Sequence, residues 1–236
     1  MLFIHRMGDY MLELFKTTKI NLWSFLAATG IIALGDWGVM TAQGESVLSL
    51  FNFTFLTIAG LLSLTILLGW PGVKKLFKKM SKGDWKWIAF AILAEIILTY
   101  GFAFIGDFFK QSLADNAGVE ELGSIFDLFI SIPFISMSLV GEELFIATLF
   151  ILVFMIANKF GGEKQTIIIA AIASLAIFGL SHYGVYDGNL YQCIVVIGMA
   201  HIPTMYAWLK TETLWVPILI HVIYDVLLLS LSTLLA

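Results

Sequence analysis

LVGEELFIATLF, residues 139–150, sets two adjacent carboxylates, Glu142 and Glu143, inside an otherwise apolar run. Whether that run is soluble core or membrane span decides the fold, because a charge in hydrocarbon is costly unless it faces protein or water. Composition answers for the membrane. Of 236 residues 60% are hydrophobic and only 13% charged, and the mean hydropathy is +0.95. A soluble domain of this length could not hide that much apolar surface.

Working outward from 139–150, apolar windows long enough to cross roughly 30 Å of hydrocarbon predict seven helices, at 21–42, 47–70, 86–106, 137–157, 166–183, 189–209 and 213–235. The expected fold is therefore all-α, a polytopic membrane helical bundle with about seven transmembrane helices. Residues 124–136 are apolar but carry Asp127 and Pro133. They read either as a re-entrant piece or as the first part of one long, kinked fourth helix. Residues 1–19 mix Arg6, Asp9, Glu13, Lys16 and Lys19 with Leu, Phe and Met, the pattern of an interfacial amphipathic segment. No small-residue cleavage site follows the first span, so no removable signal peptide is expected. Repeats and low-complexity tracts are absent from the sequence, and one integral-membrane domain is expected.

The charges exclude some functions and orient the chain. A net charge of −4, with lysines collected in short loops, carries no nucleic-acid signature. The single cysteine, Cys193, excludes an internal disulfide, and no CxxC or HExxH spacing is present. With the N-terminus inside, all but one of the 13 Lys and Arg residues fall on the cytoplasmic side, Lys110 being the exception. That is the arrangement the positive-inside rule favours, and it argues against counting 124–136 as a separate crossing.

Embedded ionisable groups mark the candidate chemistry. Besides the Glu pair they are Asp36, Glu95, His182, His201, His221 and Asp225. Asp36, beside Trp37, reads as an outer-interface residue, Glu95 equally as a packing carboxyl or a functional one, and His201 as a satisfied structural histidine. The other five form a pattern. Phe178-Gly179-Leu180-Ser181-His182 is FxxxH and His221-Val222-Ile223-Tyr224-Asp225 is HxxxD, and i,i+4 spacing puts each pair on one helical face. Glu142 and Glu143 differ by about 100° around their helix, so one can face a cavity while the other reaches a neighbouring helix.

These residues resemble the CPBP intramembrane proteases, also called the Abi or CAAX protease family. Its motifs, EExxxR, FxxxH and HxxxN or HxxxD, appear here in order as GEELFIA, FGLSH and HVIYD, over roughly residues 125–227. On this resemblance 1–124 supplies N-terminal transmembrane helices and a basic cytoplasmic loop, and 125–236 holds the catalytic core. One position departs from the pattern: Ala147 stands where the first motif has Arg. Glu143 then lacks that cation, so it is either protonated or borrows another partner.

The resemblance implies a glutamate protease acting on a membrane-associated protein or peptide. Glu142, assisted by His182, would activate water, His221 and Asp225 would form or orient the oxyanion site, and Glu143 would be a supporting carboxylate. Because an ionised Asp only accepts hydrogen bonds, Asp225 must be protonated or act by holding His221 as donor. No cofactor is expected. Two rival readings are an inactive scaffold or bacteriocin immunity protein that binds a peptide, and a metal-dependent protease with Glu142, Glu143, His182 and His221 as ligands. The expected location is a prokaryotic plasma membrane, with the lipid bilayer as one partner. His221 lies about eight residues, or ~12 Å, from the start of its helix. Matching Glu142 to that depth requires the long, Pro133-bent fourth helix and places a water-accessible cavity in the inner half of the membrane.

Overall fold

The structure is a computed structural model, which describes residues 9–41, 51–111, 113–114 and 124–235. Arg6, and residues 42 and 47–50 of the expected first and second spans, lie outside the described residues, as does the side chain of Asp9. The elements are α1 (Asp9–Thr17), α2 (Leu22–Thr41), α3 (Asn52–Leu76), α4 (Trp85–Phe108), α5 (Ile125–Ala157), α6 (Glu163–Ser181), an irregular segment Gln192–His201, α7 (Ile202–Thr211) and α8 (Trp215–Leu235). No strand occurs among the described residues. Among the described residues seven segments are long and apolar enough to cross a membrane, with Gln192–Thr211 counted as one.

α5 is the axis of the bundle. Ser124 caps it, accepting from the Asp127 backbone N–H at 3.2 Å, and Asp127 lies in the first turn where the helix dipole favours an acid. The helix then runs 33 residues through Pro133, about 50 Å at 1.5 Å per residue. Pro133 cannot donate to the Phe129 carbonyl, yet the helix continues, so 124–136 is the start of the fourth span and not a re-entrant piece. Residues 143–148 are buried all round the helix, and of the residues beyond Gly141 Leu144, Phe145, Ile146, Ala147, Phe150 and Ile151 are all at most 3% exposed. A helix apolar all round belongs inside a bundle, and α5 packs against α1, α2, α3, α6 and α8. The outer faces of α2, α3 and α4 expose large apolar side chains, Trp23, Leu34, Ile58, Leu93 and Phe104 among them, as lipid contact requires.

Two spans depart from regular helix where the sequence reading had only a hydropathy window. In α3, Gly69 has φ 67° and ψ 162° just before Pro71. The membrane helix therefore ends there, and a short turn carrying Lys74 and Lys75 continues in a new direction. The sixth span opens as a π-helical stretch, Gln192–Gly198, tightens to a 3₁₀ turn at Met199–His201 and becomes α-helical only at Ile202. Close backbone approach explains the widened turn. A Cβ on Gly179 would lie 2.1 Å from the Cys193 carbonyl oxygen, and one on Gly198 would lie 2.5 Å from that of Leu175. Only glycine at both positions lets α6 and this segment come that close.

The basic turns share one end of the bundle. Lys78 pairs with Glu212 at 2.8 Å, the Met11 N–H donates to Glu212 at 3.1 Å, Lys16 pairs with Glu163, and the Leu214 N–H donates to the Leu76 carbonyl at 2.8 Å. α1 buries Met11, Leu12 and Phe15, with the Phe15 ring 6.3 Å from Phe150 and 5.9 Å from Phe154. Glu142 lies fifteen residues from the end of α5, about 22 Å, whereas His221 lies only six from the start of α8, about 9 Å. The α5–α6 hairpin therefore projects well beyond the α7–α8 turn, and α1 lies along the projecting part.

Candidate active site

Four helices and the irregular sixth span bring the ionisable groups together in two layers. The accessible layer holds Glu142, His182 and Asp225, whose side chains are 18%, 22% and 32% exposed. Beneath it lie Glu143, His201 and Glu95, each 4% exposed or less, with His221 (8%) joining the two. Adjacent glutamates serve both layers because their side chains diverge by about 100° around α5.

In the accessible layer Glu142 Oε2 is 3.9 Å from Nε2 of both His182 and His221. Among the described residues no hydrogen bond reaches Glu142. A water at a normal ~2.8 Å from both Glu142 and His182 would sit about 2 Å off the line joining them. His182 caps α6, and its Nδ1 lies 3.0 Å from the Phe178 carbonyl. A carbonyl only accepts, so Nδ1 carries the hydrogen and a neutral His182 offers its bare Nε2 toward Glu142. The i,i+4 face predicted for FxxxH is thus real. The Phe178 ring stands 4.9 Å from His182, 5.4 Å from His201 and 6.1 Å from His221, an apolar wall shared by three imidazoles. Tyr186, in the turn after α6, stacks on His182 at 6.3 Å and 24°. Burial, then the charges of Asp225 and Glu142, push its phenol up, which keeps it a neutral donor beside the site.

The buried layer is a chain of hydrogen bonds. Glu143 Oε1 is 2.7 Å from His221 Nδ1 and 2.9 Å from His201 Nε2. His201 Nδ1 is 2.7 Å from Glu95 Oε1, and the Thr204 hydroxyl donates to the other Glu95 oxygen. The sequence reading left Asp225 either protonated or holding His221 as a donor. The structure gives the second of these places to Glu143, 2.7 Å from His221 Nδ1, because Asp225 Oδ2 is 3.9 Å from His221 and on the opposite nitrogen, Nε2. It also puts His201, read as a structural histidine, in direct contact with Glu143, and joins Glu95, read equally as a packing or a functional carboxyl, to the site through His201. Their signal in the sequence was indirect: a carboxyl ten residues into a span needs a partner, and His201 with Thr204 makes an i,i+3 face to meet it. Asp36 is half-buried on α2.

Ala147 is completely buried, and no arginine occurs among the described residues. Glu143 has borrowed its partners from two other spans.

As possible metal donors, Glu143, His201 and His221 offer atoms all within 4.8 Å of one another. Glu142 and His182, half of the expected ligand set, are not in that group. The N···O separations of 2.7 and 2.9 Å are those of shared hydrogens, since donors of a tetrahedral ion with bonds near 2.0–2.1 Å lie about 3.3 Å apart. The donor types suit an ion, but the spacing suits hydrogen bonds.

A helical membrane bundle with carboxylates and imidazoles facing one another across its spans has the makings of an intramembrane acid–base site. Residues 124–227 match the family model described as Rce1-like, type II CAAX prenyl endopeptidase. The match takes in α5 through the first half of α8, including all three motifs, and is consistent with the CPBP resemblance. No curated protein and no solved structure matches the chain.

Proposed function

We propose that the protein is an intramembrane endopeptidase hydrolysing a membrane-associated protein or peptide, with Glu142 as the base. The observation that carries this reading is the position of Glu142. It is a partly exposed carboxylate with no hydrogen bond among the described residues, 3.9 Å from two imidazoles. Glu142 takes a proton from the bridging water as its oxygen adds to the scissile carbonyl. His182, its Nδ1–H fixed on Phe178, holds that water through Nε2. When His221 carries a second hydrogen, its Nε2–H faces the same space and receives the charge that develops on the carbonyl oxygen. The proton held by Glu142 then passes to the leaving nitrogen, and the amine departs. Asp225 lines the same space without touching His221.

The basic end of the bundle is assigned to the cytoplasm by the positive-inside rule, in a prokaryotic plasma membrane. The site then lies about 9 Å along α8 from that surface, within reach of a lipid-anchored segment inserted from the inner leaflet. The substrate class favoured by the family's description is a prenylated C-terminus. A second reading, a non-catalytic scaffold or immunity protein, draws on Ala147. It is weakened by the partners Glu143 has found.

The test uses purified protein in detergent and an internally quenched farnesyl-cysteine peptide, beside its unprenylated twin and an excess of EDTA. Wild type should cleave, and Glu142→Gln should lose about 10²–10⁴-fold in rate, with His182→Asn losing a comparable factor. EDTA should leave the rate unchanged. Full activity in Glu142→Gln would remove the glutamate mechanism, loss with EDTA would favour the metal-dependent version, and binding of the peptide without cleavage would favour the scaffold.

A further inference from the structure

Glu143 is a carboxylate buried in the middle of a membrane helix, with alanine one turn further along α5 at position 147. A buried carboxylate needs compensating charge and donors. The nearest groups of opposite character are imidazoles, and His201 is the one committed wholly to this task. His221 turns only Nδ1 to Glu143 and leaves Nε2 for the accessible layer. His201 is 2% exposed and sets both ring nitrogens against carboxylates, 2.7 Å from Glu95 and 2.9 Å from Glu143.

Counting hydrogens fixes what this arrangement requires. Three nitrogen–carboxylate contacts, two at His201 and one at His221, need three hydrogens. With both carboxylates ionised, His201 must supply two of them, and is then an imidazolium. Thr204 occupies the remaining Glu95 oxygen with its own hydroxyl hydrogen. If His221 also carries two hydrogens, two carboxylates face two imidazoliums and the buried layer is neutral.

We propose that His201, clamped by Glu95 and Thr204, is the cationic positioning residue for Glu143, and that it stands in for the arginine missing at position 147. The irregular sixth span is what makes this possible. Its π-helical stretch and 3₁₀ turn end at His201, which meets Glu95 of α4 and Glu143 of α5, while Thr204 meets Glu95. His201 does not reach the accessible layer, so it acts through Glu143, which in turn holds His221 Nδ1–H and aims His221 Nε2 at the place of reaction. The charge on His201 is independent of the protease reading, whereas its consequence for turnover rests on it.

The experiment has two arms on the full-length protein in lipid nanodiscs. The chain has four histidines, so ¹⁵N-histidine labelling gives four rings, and the ring lost in His201→Asn or shifted in Glu95→Gln is His201. In wild type at pH 7 both nitrogens of that ring should show directly bonded hydrogen, and Glu95→Gln should strip one of them. A bare nitrogen in wild type, from a neutral ring or from metal coordination, overturns the proposal. In the second arm, His201→Asn should lower kcat on the farnesyl-cysteine peptide about a hundredfold with KM unchanged, and unchanged kcat overturns the positioning role. If wild type cleaves no peptide, the protease reading fails while the ¹⁵N arm still decides the charge on His201.

Discussion

Gly179→Ala isolates the contact that seats the sixth span. The added Cβ would lie 2.1 Å from the Cys193 oxygen, 2.9 Å from its carbonyl carbon and 3.1 Å from the Gly198 nitrogen. All three neighbours are backbone, so no side chain can swing away. An ordinary carbon–oxygen contact is roughly 3.3 Å, and α6 must therefore part from the π-helical stretch by about 1.2 Å. Overpacking of this kind costs up to about 3 kcal/mol, offset by ~1 kcal/mol of improved helix propensity. The net loss of about 2 kcal/mol corresponds to a fall in Tm of about 4–8 °C for a chain of this size. Gly101→Ala is the matched control, because nothing lies within 4 Å of its added Cβ. It should hold or raise Tm by about 2–4 °C. The assay is a tryptophan-fluorescence melt of both variants in the same detergent. The shift should also reach the chemistry, because His182 is three residues from Gly179 and Cys193 leads into His201. A displacement of about 1 Å there should slow turnover about a hundredfold. If Gly179→Ala melted at or above wild type while Gly101→Ala behaved as expected, the close approach of α6 to the sixth span would be refuted.

Two shorter predictions follow from other contacts. Phe15→Ala removes the ring that meets Phe150 and Phe154. Losing a buried Phe costs about 3–5 kcal/mol, more than α1 can recover from its remaining contacts, so trypsin should cut at Lys16 and Lys19 in the variant well before it cuts wild type. Asp225→Asn should keep rate within about tenfold of wild type, since Asp225 makes no hydrogen bond to His221 at 3.9 Å and an amide can donate where the carboxylate only accepts. A loss as large as that of Glu142→Gln would instead make Asp225 a direct participant.

Much of the bundle could be read from hydropathy because a span advertises itself residue by residue. The long fourth helix was legible too, because matching Glu142 to the depth of His221 required the extra turns. FxxxH and HxxxD were legible because i,i+4 is a fixed rotation. What a window of apolar residues does not encode is backbone phase. Gln192–His201 reads as an ordinary span, and nothing in its own composition says that Gly179, on another helix, will press against its carbonyls. The position of His201 depends on that contact, so it read as structural. Glu95 was ambiguous for a related reason, since its partners His201 and Thr204 lie more than a hundred residues along the chain.

That two carboxylates stand side by side in a membrane helix has a geometric reason. A single carboxylate on α5 could be exposed enough to meet water or buried enough to be rigid, but not both. Consecutive residues divide the tasks, because one step around the helix separates an accessible direction from an enclosed one. Glu143 is enclosed, with two imidazoles on one oxygen, and so fixes the ring of His221. Glu142 is left without a hydrogen bond among the described residues, facing the Nε2 atoms of His182 and His221. Replacing such a buried polar group by well-packed apolar residues is often neutral or stabilising. The chain therefore carries Glu95, Glu143, His201 and His221 at a cost in folding, and stability gives no reason for them. The protease reading gives one, since a rigid His221 is worth that cost only if something reacts in front of it.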